Sequence, residues 1–517
     1  MSNERILWAD DEIDLLKPHI LFLQQKGYAV TTVNNGSEAV DQVKDNFFDI
    51  VFLDENMPGI NGLAALQRIK EIDPTLPVVM ITKSEEEHIM EDAIGSKISD
   101  YLIKPVNPNQ ILLSLKKNLD ERRLVSEKTT SDYRQEFREI SMRLGDRMDA
   151  KEWTEFYRKM VHWSMELSNL EDEGMTGIFH TQQMEANEQF SKFIKNNYLS
   201  WLKNTPDAPT MSHTLVKDKV LPILKKETES VFMVVIDNLR FDQWRTIQPK
   251  LKEFFRVEEE ELFYSILPTA THYARNAIFA GLMPSEIAKL HPNLWLNEDD
   301  EGGKNMHEEE LMAAQLKRLG LNYKFSYNKI TNLNAGKKLN DSFSNLLGNQ
   351  LNVIVYNFVD MLSHARTEME VIKELADDEP AYLSITSSWF DHSPLLDILK
   401  KVAENNCTLI ITTDHGTIRV DNPIKVVGDR NTNTNLRYKA GKNLNYNPKE
   451  VFEIRNPQDA FLPKVNVSTA FVFAQNRDFF VYPNNYNQFV NFYQNTFQHG
   501  GVSLEEVLIP FAVLKAK

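Results

Sequence analysis

Near the start of the chain, five polar residues close apolar runs. "ILWADDE" ends in Asp10 and Asp11, "VFLDENMPG" carries Asp54, "MITKS" ends in Thr82, and "LIKP" sets Lys104 before Pro105. Three carboxylates converging at one sheet edge would repel one another unless a hard cation sat among them. Mg2+ suits such a place, because it takes octahedral oxygen ligands from one or two carboxylates, water and phosphate. A lysine and a hydroxyl nearby would hold phosphoryl oxygens.

A second set lies far along the chain. "VVIDNLR" ends in Asp237, and "NFVDMLSH" carries Asp360 with His364 one helical turn on. "CTLIITTDHGTI" stops on Asp414 and His415, where Gly416 would let the backbone turn, and "FQHGGVSLEE" supplies His499. Mixed carboxylate and imidazole ligands suit Zn2+. With a threonine added, the seven groups are too many for one tetrahedral ion and enough for two. Asp360, His364 and His499 make a sensible set for one ion, and Asp237, Asp414 and His415 for the other. "LPTATHYARNAIF" offers the threonine. Thr271 falls at the start of a helical pattern, where the helix N-terminus favours developing negative charge. A threonine hydroxyl activated beside a metal would be a nucleophile for in-line attack on phosphorus. Thr269 is its rival, and Thr271 fits the helix start better.

The elements that position these groups follow from periodicity. "RILWA", "YAVTTV", "DIVFLD", "PVVMIT" and "DYLIKP" alternate with helical patterns such as "GLAALQRIKEI". Five strands alternating with helices predict a parallel sheet covered on both faces, with ligands at the carboxyl ends of its strands. From about residue 121 to 229 strand patterns vanish. There Asp149 and Glu152 have capping-box spacing, and Trp153, Phe156, Tyr157 and Met160 share a helix face. Phe190, Phe193, Ile194 and Trp201 repeat the pattern, so a helical bundle acting as spacer is predicted. Buried strands return in "VFMVVID", "NVIVYNFVD", "TLIITTD" and "STAFVFAQ", predicting a second, larger α/β domain. The boundaries are 1–122, 123–228 and 229–517.

The 517 residues exceed what one core serves. A formal net charge of −16 disfavours non-specific adhesion to nucleic acid or anionic membrane. The single cysteine, Cys407, excludes an intramolecular disulfide and favours a reducing compartment. No run approaches the roughly 18 apolar residues of a membrane span, and "MSNERILWADDE" lacks the apolar core of a signal peptide. A cytoplasmic location is predicted. "NTNTNLRYKAGKNLNYN", with Arg437, Lys439 and Lys442, is read as a mobile flap contacting substrate phosphates or as a solvated loop. His272 would line the pocket or pack in the core. Asp391 and His392 would sit in a lid or in an ordinary surface loop.

The first constellation is similar to the receiver domain of two-component response regulators, a flavodoxin-like fold. The resemblance implies Asp54 as phosphoacceptor, Asp10 and Asp11 as metal ligands beside it, and Asn56 adding a backbone carbonyl. It implies Thr82 and Lys104 as the switch pair and Tyr101 as the switch aromatic. Lys83 stands where that family usually has a small residue. The second constellation resembles the alkaline phosphatase superfamily, and within it the PglZ-type domains, over roughly the last 290 residues. Asp237, Thr271, Asp360, His364, Asp414, His415 and His499 match its metal and nucleophile positions in order. Receiver, helical spacer and PglZ-type domain together resemble the PorX-type response regulators tied to type IX secretion. For this chain the resemblance implies a sensor histidine kinase as phosphodonor, a homodimer on phosphorylation, and two Zn2+ in the output domain besides receiver Mg2+. It also implies phosphodiesterase activity on linear and cyclic oligonucleotides, and a sigma factor or secretion-system component as partner. Two other readings stay open: a non-catalytic, metal-stabilised regulator that binds a transcription or secretion component, and a monoesterase or phosphomutase using the same site.

Overall fold

The structure is a computed structural model describing residues 4–83, 98–168, 173–203, 205–227, 229–298, 300–357, 378–429, 432–464 and 468–517, with 359, 362 and 466. Within helices, residues 120–127 and 173 are described by backbone alone. The chain divides into two compact units, Met1–Gln135 and Glu136–Lys517.

In the first unit, β1 (Arg5–Ala9), β2 (Ala29–Val33), β3 (Ile50–Asp54), β4 (Val78–Thr82) and β5 (Asp100–Ile103) form one parallel sheet, in the order β2-β1-β3-β4-β5. Successive side chains on a strand face opposite ways. Leu7, Val51, Leu53 and Met80 accordingly enter one core layer, and Ile6, Trp8, Phe52 and Ile81 the other. Burial on both faces is why these strands read as unbroken apolar runs. Strand order reverses between β1 and β3, and the crevice outside their carboxyl ends is the usual ligand site of such sheets. Asp10 and Asp54 stand there.

In the second unit, β6 (Val231–Ile236), β7 (Phe255–Tyr264), β8 (Phe325–Ile330), β9 (Leu351–Tyr356), β10 (Thr408–Thr412) and β18 (Leu508–Ala516) make a six-stranded sheet ordered β7-β18-β10-β6-β9-β8. β8, β9, β6 and β10 run parallel, so their carboxyl ends share one edge, while β18 pairs antiparallel with both β10 and β7. Val235 lies opposite Thr412. Two residues further on, that register brings Asp237 level with Asp414.

Smaller sheets pair β11 (Ile418–Arg419) with β17 (Phe497–Gln498), and β12 (Asn422–Lys425) with β16 (Asp478–Val481). A third orders β13 (Tyr438–Lys442), β15 (Thr469–Ala474) and β14 (Val451–Ile454) as β13-β15-β14. "STAFVFAQ" therefore belongs to a side sheet and not to the main one.

Helices span Pro108–Gly145, Ala150–Ser168 and Glu173–Trp201. The capping box forms: Glu152 N–H donates to Asp149 Oδ1 at 2.8 Å, and Asp149 N–H to Glu152 Oε2 at 2.9 Å. Trp153 packs on Phe190 and Phe193, and Trp201 on Tyr264 of β7. Tyr198 Oη accepts from Leu267 N–H at 2.8 Å, and Arg158 pairs with Glu260 at 2.6 Å. Helices 150–168 and 173–201 thus form a helical linker that packs against β7 of the output domain.

Candidate metal centres and phosphoryl-transfer site

At the receiver's sheet edge, Asp10 and Asp54 are buried and Asp11 is exposed. Each of the three offers an oxygen within 4.8 Å of the others. Lys104 Nζ lies 2.9 Å from Asp10 Oδ2 and 2.9 Å from Asp54 Oδ1. One ammonium does not balance three carboxylates. Burial, with Asp10 and Asp11 adding to it, pushes Asp54 up to about 6 against the pull of Lys104. A pocket of oxygens so short of positive charge fits a hard divalent cation. Thr82, buried at the end of β4, donates its hydroxyl to Glu55. Tyr101 is turned in against the core beside Met80, and its phenol is raised by burial while hydrogen-bonded to Thr82. Asn56 is exposed in the loop after β3. Lys83 is held outward by Glu12, 3.1 Å away.

At the output domain's sheet edge, Asp237, Asp414 and His415 are buried, with ligand atoms within 4.8 Å of one another. Asp237 follows β6, and Asn238 then takes a left-handed turn at φ 65°. Thr271 opens the helix Thr271–Ala280. Its Oγ1 lies 3.0 Å from His415 Nε2 and 3.3 Å from Asp237 Oδ1. Thr269 is committed elsewhere: its hydroxyl donates to Gly501 O at 2.8 Å and accepts from Gly500 N–H at 3.1 Å.

Two backbone carbonyls set the imidazoles. His415 Nδ1 is 3.0 Å from Gly416 O, and His499 Nδ1 is 3.2 Å from Thr269 O. A carbonyl can only accept, so both Nδ1 atoms carry hydrogen, and each Nε2 is the acceptor nitrogen of its ring. The rings stack with centroids 4.3 Å apart. The His415 imidazole beside two buried carboxylates forms a donor set that fits Zn2+, with the His499 ring stacked against it. Asp360 and His364 lie outside the described residues. β9 ends at Tyr356.

The sequence reading missed Arg275 and Glu308. Fully buried Arg275 places Nη1 2.5 Å from Asp237 Oδ2 and 3.7 Å from Asp414 Oδ2, and Nε 2.5 Å from Glu308 Oε1. Glu308 also takes Lys329 at 3.1 Å and the Tyr327 hydroxyl. Burial raises Asp237, offset chiefly by Arg275. Arg275 thereby fixes one oxygen of Asp237 and leaves Oδ1 facing Thr271. The available signal was spacing: Arg275 is one turn beyond Thr271 on the same helix.

Three expectations are corrected. Arg437 is no flap residue. It is buried, with Nη2 2.5 Å from Glu506 Oε2, and its main chain begins a covered strand. Lys439 is also buried; its ammonium donates to Asn433 O at 2.9 Å and lies 5.0 Å over the Tyr482 ring. Gly416 is needed for close approach and not for a turn, because a Cβ there would meet Glu505 O at 1.9 Å. Of the open alternatives, His272 takes the packing role, stacked on Trp295 with Nε2 2.8 Å from Leu296 O. His392 is exposed at the end of helix Glu379–Asp391, and Asp391 pairs with Lys250.

Fold and clusters together define a receiver joined to a phosphatase-like α/β domain. Family models agree: the response regulator receiver domain matches residues 6–116, the PorX response regulator linker domain 123–202, and the BREX system PglZ alkaline phosphatase-like domain 215–515. The last covers more than half of the chain, which belongs to the PglZ alkaline phosphatase-like family as a PorX-type response regulator. Receivers bind Mg2+ and take their phosphoryl group from a histidine kinase; alkaline phosphatase-like domains are metalloenzymes of the phosphoesterases.

Among curated proteins, the alginate biosynthesis transcriptional regulatory protein AlgB of Pseudomonas syringae pv. tomato is 35% identical over 123 residues, 24% of this chain and 28% of that protein. The transcriptional regulatory protein ResD of Bacillus subtilis is 31% identical over 116 residues, 22% of this chain and 48% of that protein. The chain thus spans less than half the length of either relative. Among solved structures, a CheY-like receiver domain protein of Methanospirillum hungatei JF-1 is 27% identical, covering 23% of this chain and 96% of its own, with TM-score 0.23. CheY4 of Vibrio cholerae is 27% identical, covering 23% of this chain and 100% of its own, with TM-score 0.22. Among the described residues no helix is long and apolar enough to cross a membrane.

Proposed function

We propose that this chain is a response regulator phosphorylated on Asp54 by a sensor histidine kinase, whose output domain is a zinc-dependent phosphodiesterase acting on linear and cyclic oligonucleotides. The observation that carries the reading is the Thr271 hydroxyl, 3.0 Å from His415 Nε2 and 3.3 Å from Asp237 Oδ1 at a helix N-terminus. The same two atoms would hold Zn2+ against the hydroxyl, a position that would favour the deprotonated, nucleophilic form of the oxygen. The free N–H groups of the helix's first turn favour the negative charge of the phosphoryl group under attack. Arg275 holds Asp237 in place. Zinc held by Asp237, Asp414 and His415, and by Asp360, His364 and His499, would supply Lewis-acid polarisation of the phosphoryl oxygens. Receiver Mg2+ would rest on Asp10, Asp11, Asp54 and the Asn56 carbonyl, with Thr82, Tyr101 and Lys104 responding to phosphorylation.

The functional parts in this reading are 1–122, 123–228 and 229–517. The protein acts in the cytoplasm as a phosphorylation-dependent homodimer and regulates type IX secretion genes through a sigma factor or secretion-system component. The test is turnover of bis-p-nitrophenyl phosphate by zinc-loaded protein. Thr271→Ala is expected to lower kcat at least a hundredfold, with Thr269→Ser near wild type. Full turnover in Thr271→Ala, or turnover of p-nitrophenyl phosphate alone, would remove the diesterase assignment.

A further inference from the structure

A cavity of about 600 Å3 opens between helices 150–168 and 173–201 on one side and loops of the output domain on the other. Small-molecule sites commonly span about 300–1,000 Å3. Its lining contains none of Asp237, Thr271, Asp414, His415 or His499. Its output-domain walls nevertheless continue the loops that carry them. Arg240 follows Asp237 by three residues, Arg419 follows His415 by four, and Glu505 follows His499 by six.

The arginines there differ in how they are satisfied. Arg240 is buried beside the stacked Tyr382 and Phe497 rings and pairs with Asp242 and, at 2.6 Å, with Glu379. Arg477 pairs with Asp421 at 2.7 Å. Arg419 has no ion pair among the described residues, and its Nε is shut from water without a hydrogen-bond partner. A guanidinium donor left so is costly unless an acceptor arrives. Burial, together with Arg477 and Arg419, holds His180 in the same lining below its usual pKa. Met160, Leu167 and Ile418 give the cavity an apolar side.

We propose that this cavity is a regulatory site for a small organic phosphate, its head on Arg419 beside His180 and its flat apolar body against Met160, Leu167 and Ile418. Guanidinium suits phosphate because its planar fork matches two oxygens at once. A path to the metal centre is present. Asn187 of helix 173–201 donates to Glu505 at 3.1 Å and accepts from Leu504 N–H at 2.7 Å, and the Glu505 carbonyl packs on Gly416, next to His415.

The proposal stands apart from the hydrolase reading, since binding is measured without metal and without Thr271. Full-length Thr271→Ala protein in EDTA is titrated calorimetrically with AMP, adenosine and inorganic phosphate. AMP is expected to bind saturably and more tightly than either fragment. Arg419→Gln, and separately Ser164→Trp in the cavity wall, should each weaken it at least tenfold in protein whose circular dichroism is unchanged. Absence of saturable binding, or equal affinity in both variants, overturns the site. In Thr271-intact protein, saturating AMP should change Zn2+ affinity at least twofold; an unchanged value overturns its regulatory role.

Discussion

Gly416 has no room for a methyl group: the obstacle is the Glu505 backbone, which cannot swing aside as a long side chain can. Gly416→Ala should therefore push His415 off the Thr271 hydroxyl and cost about 1–3 kcal/mol of overpacking. A lower thermal midpoint together with weakened Zn2+ binding would show it. Asp54 makes a different prediction. Its folded pKa of about 6 lies above the ordinary carboxyl value. The neutral form is thus favoured by folding, and that contribution is complete below about pH 4 and lost as pH rises through 6. In EDTA, Asp54→Asn should raise the receiver's unfolding midpoint over wild type at pH 7.5, with the gap closing towards pH 4. Mg2+ should narrow it at pH 7.5. A gap independent of pH would refute the assignment. Receiver residues of this kind were legible in sequence because each carboxylate, hydroxyl or amine sits where an apolar strand stops. Arg275 and Glu308 were not, since a charge on a helix ordinarily reads as its wet face and their partners come from distant segments.

Elements show the same division. Receiver strands β1, β3 and β4, and β6, β9 and β10, were legible because parallel strands buried on both faces must be apolar throughout; β2 and β5, partly exposed at the sheet edges, were legible from their alternation with helices. The placement of β18 beside β10, and of "STAFVFAQ" in a side sheet, depends on long-range pairing that no local pattern carries. Arg437 illustrates the cost of reading composition alone. Its polar neighbourhood suggested a loop, yet the guanidinium ties the start of β13 to Glu506 of the short helix Leu504–Val507, across 69 residues. Removing one partner of such a buried pair leaves the other charge stranded, at about 3–5 kcal/mol. Arg437→Ala should destabilise the output unit by that order, and the double variant Arg437→Met/Glu506→Leu should recover much of it. Equilibrium denaturation of the three proteins decides this, and equal loss in single and double variants would refute it.

At the scale of the whole molecule, the receiver's five residues and the output domain's metal set belong to separate units of one chain. Under the proposed function, phosphorylation of Asp54 would reach the output by changing how molecules associate, and a C2 dimer is the commonest such arrangement. Light scattering with beryllofluoride and Mg2+ is expected to double the mass of wild type and leave Asp54→Ala monomeric. An unchanged mass in both would exclude association as the signal.

The last strand of the output sheet is not an edge. β18 lies between β7 and β10, paired with β7 along its length and with β10 at residues 511–514. Until residues 508–516 emerge from the ribosome, β7 has no neighbour to join and the face of β10 away from β6 stays open. A central plank therefore docks only after both of its neighbours have been made. A nascent chain, or one cut before residue 508, presents two sticky borders, which makes loss of this strand a route to aggregation.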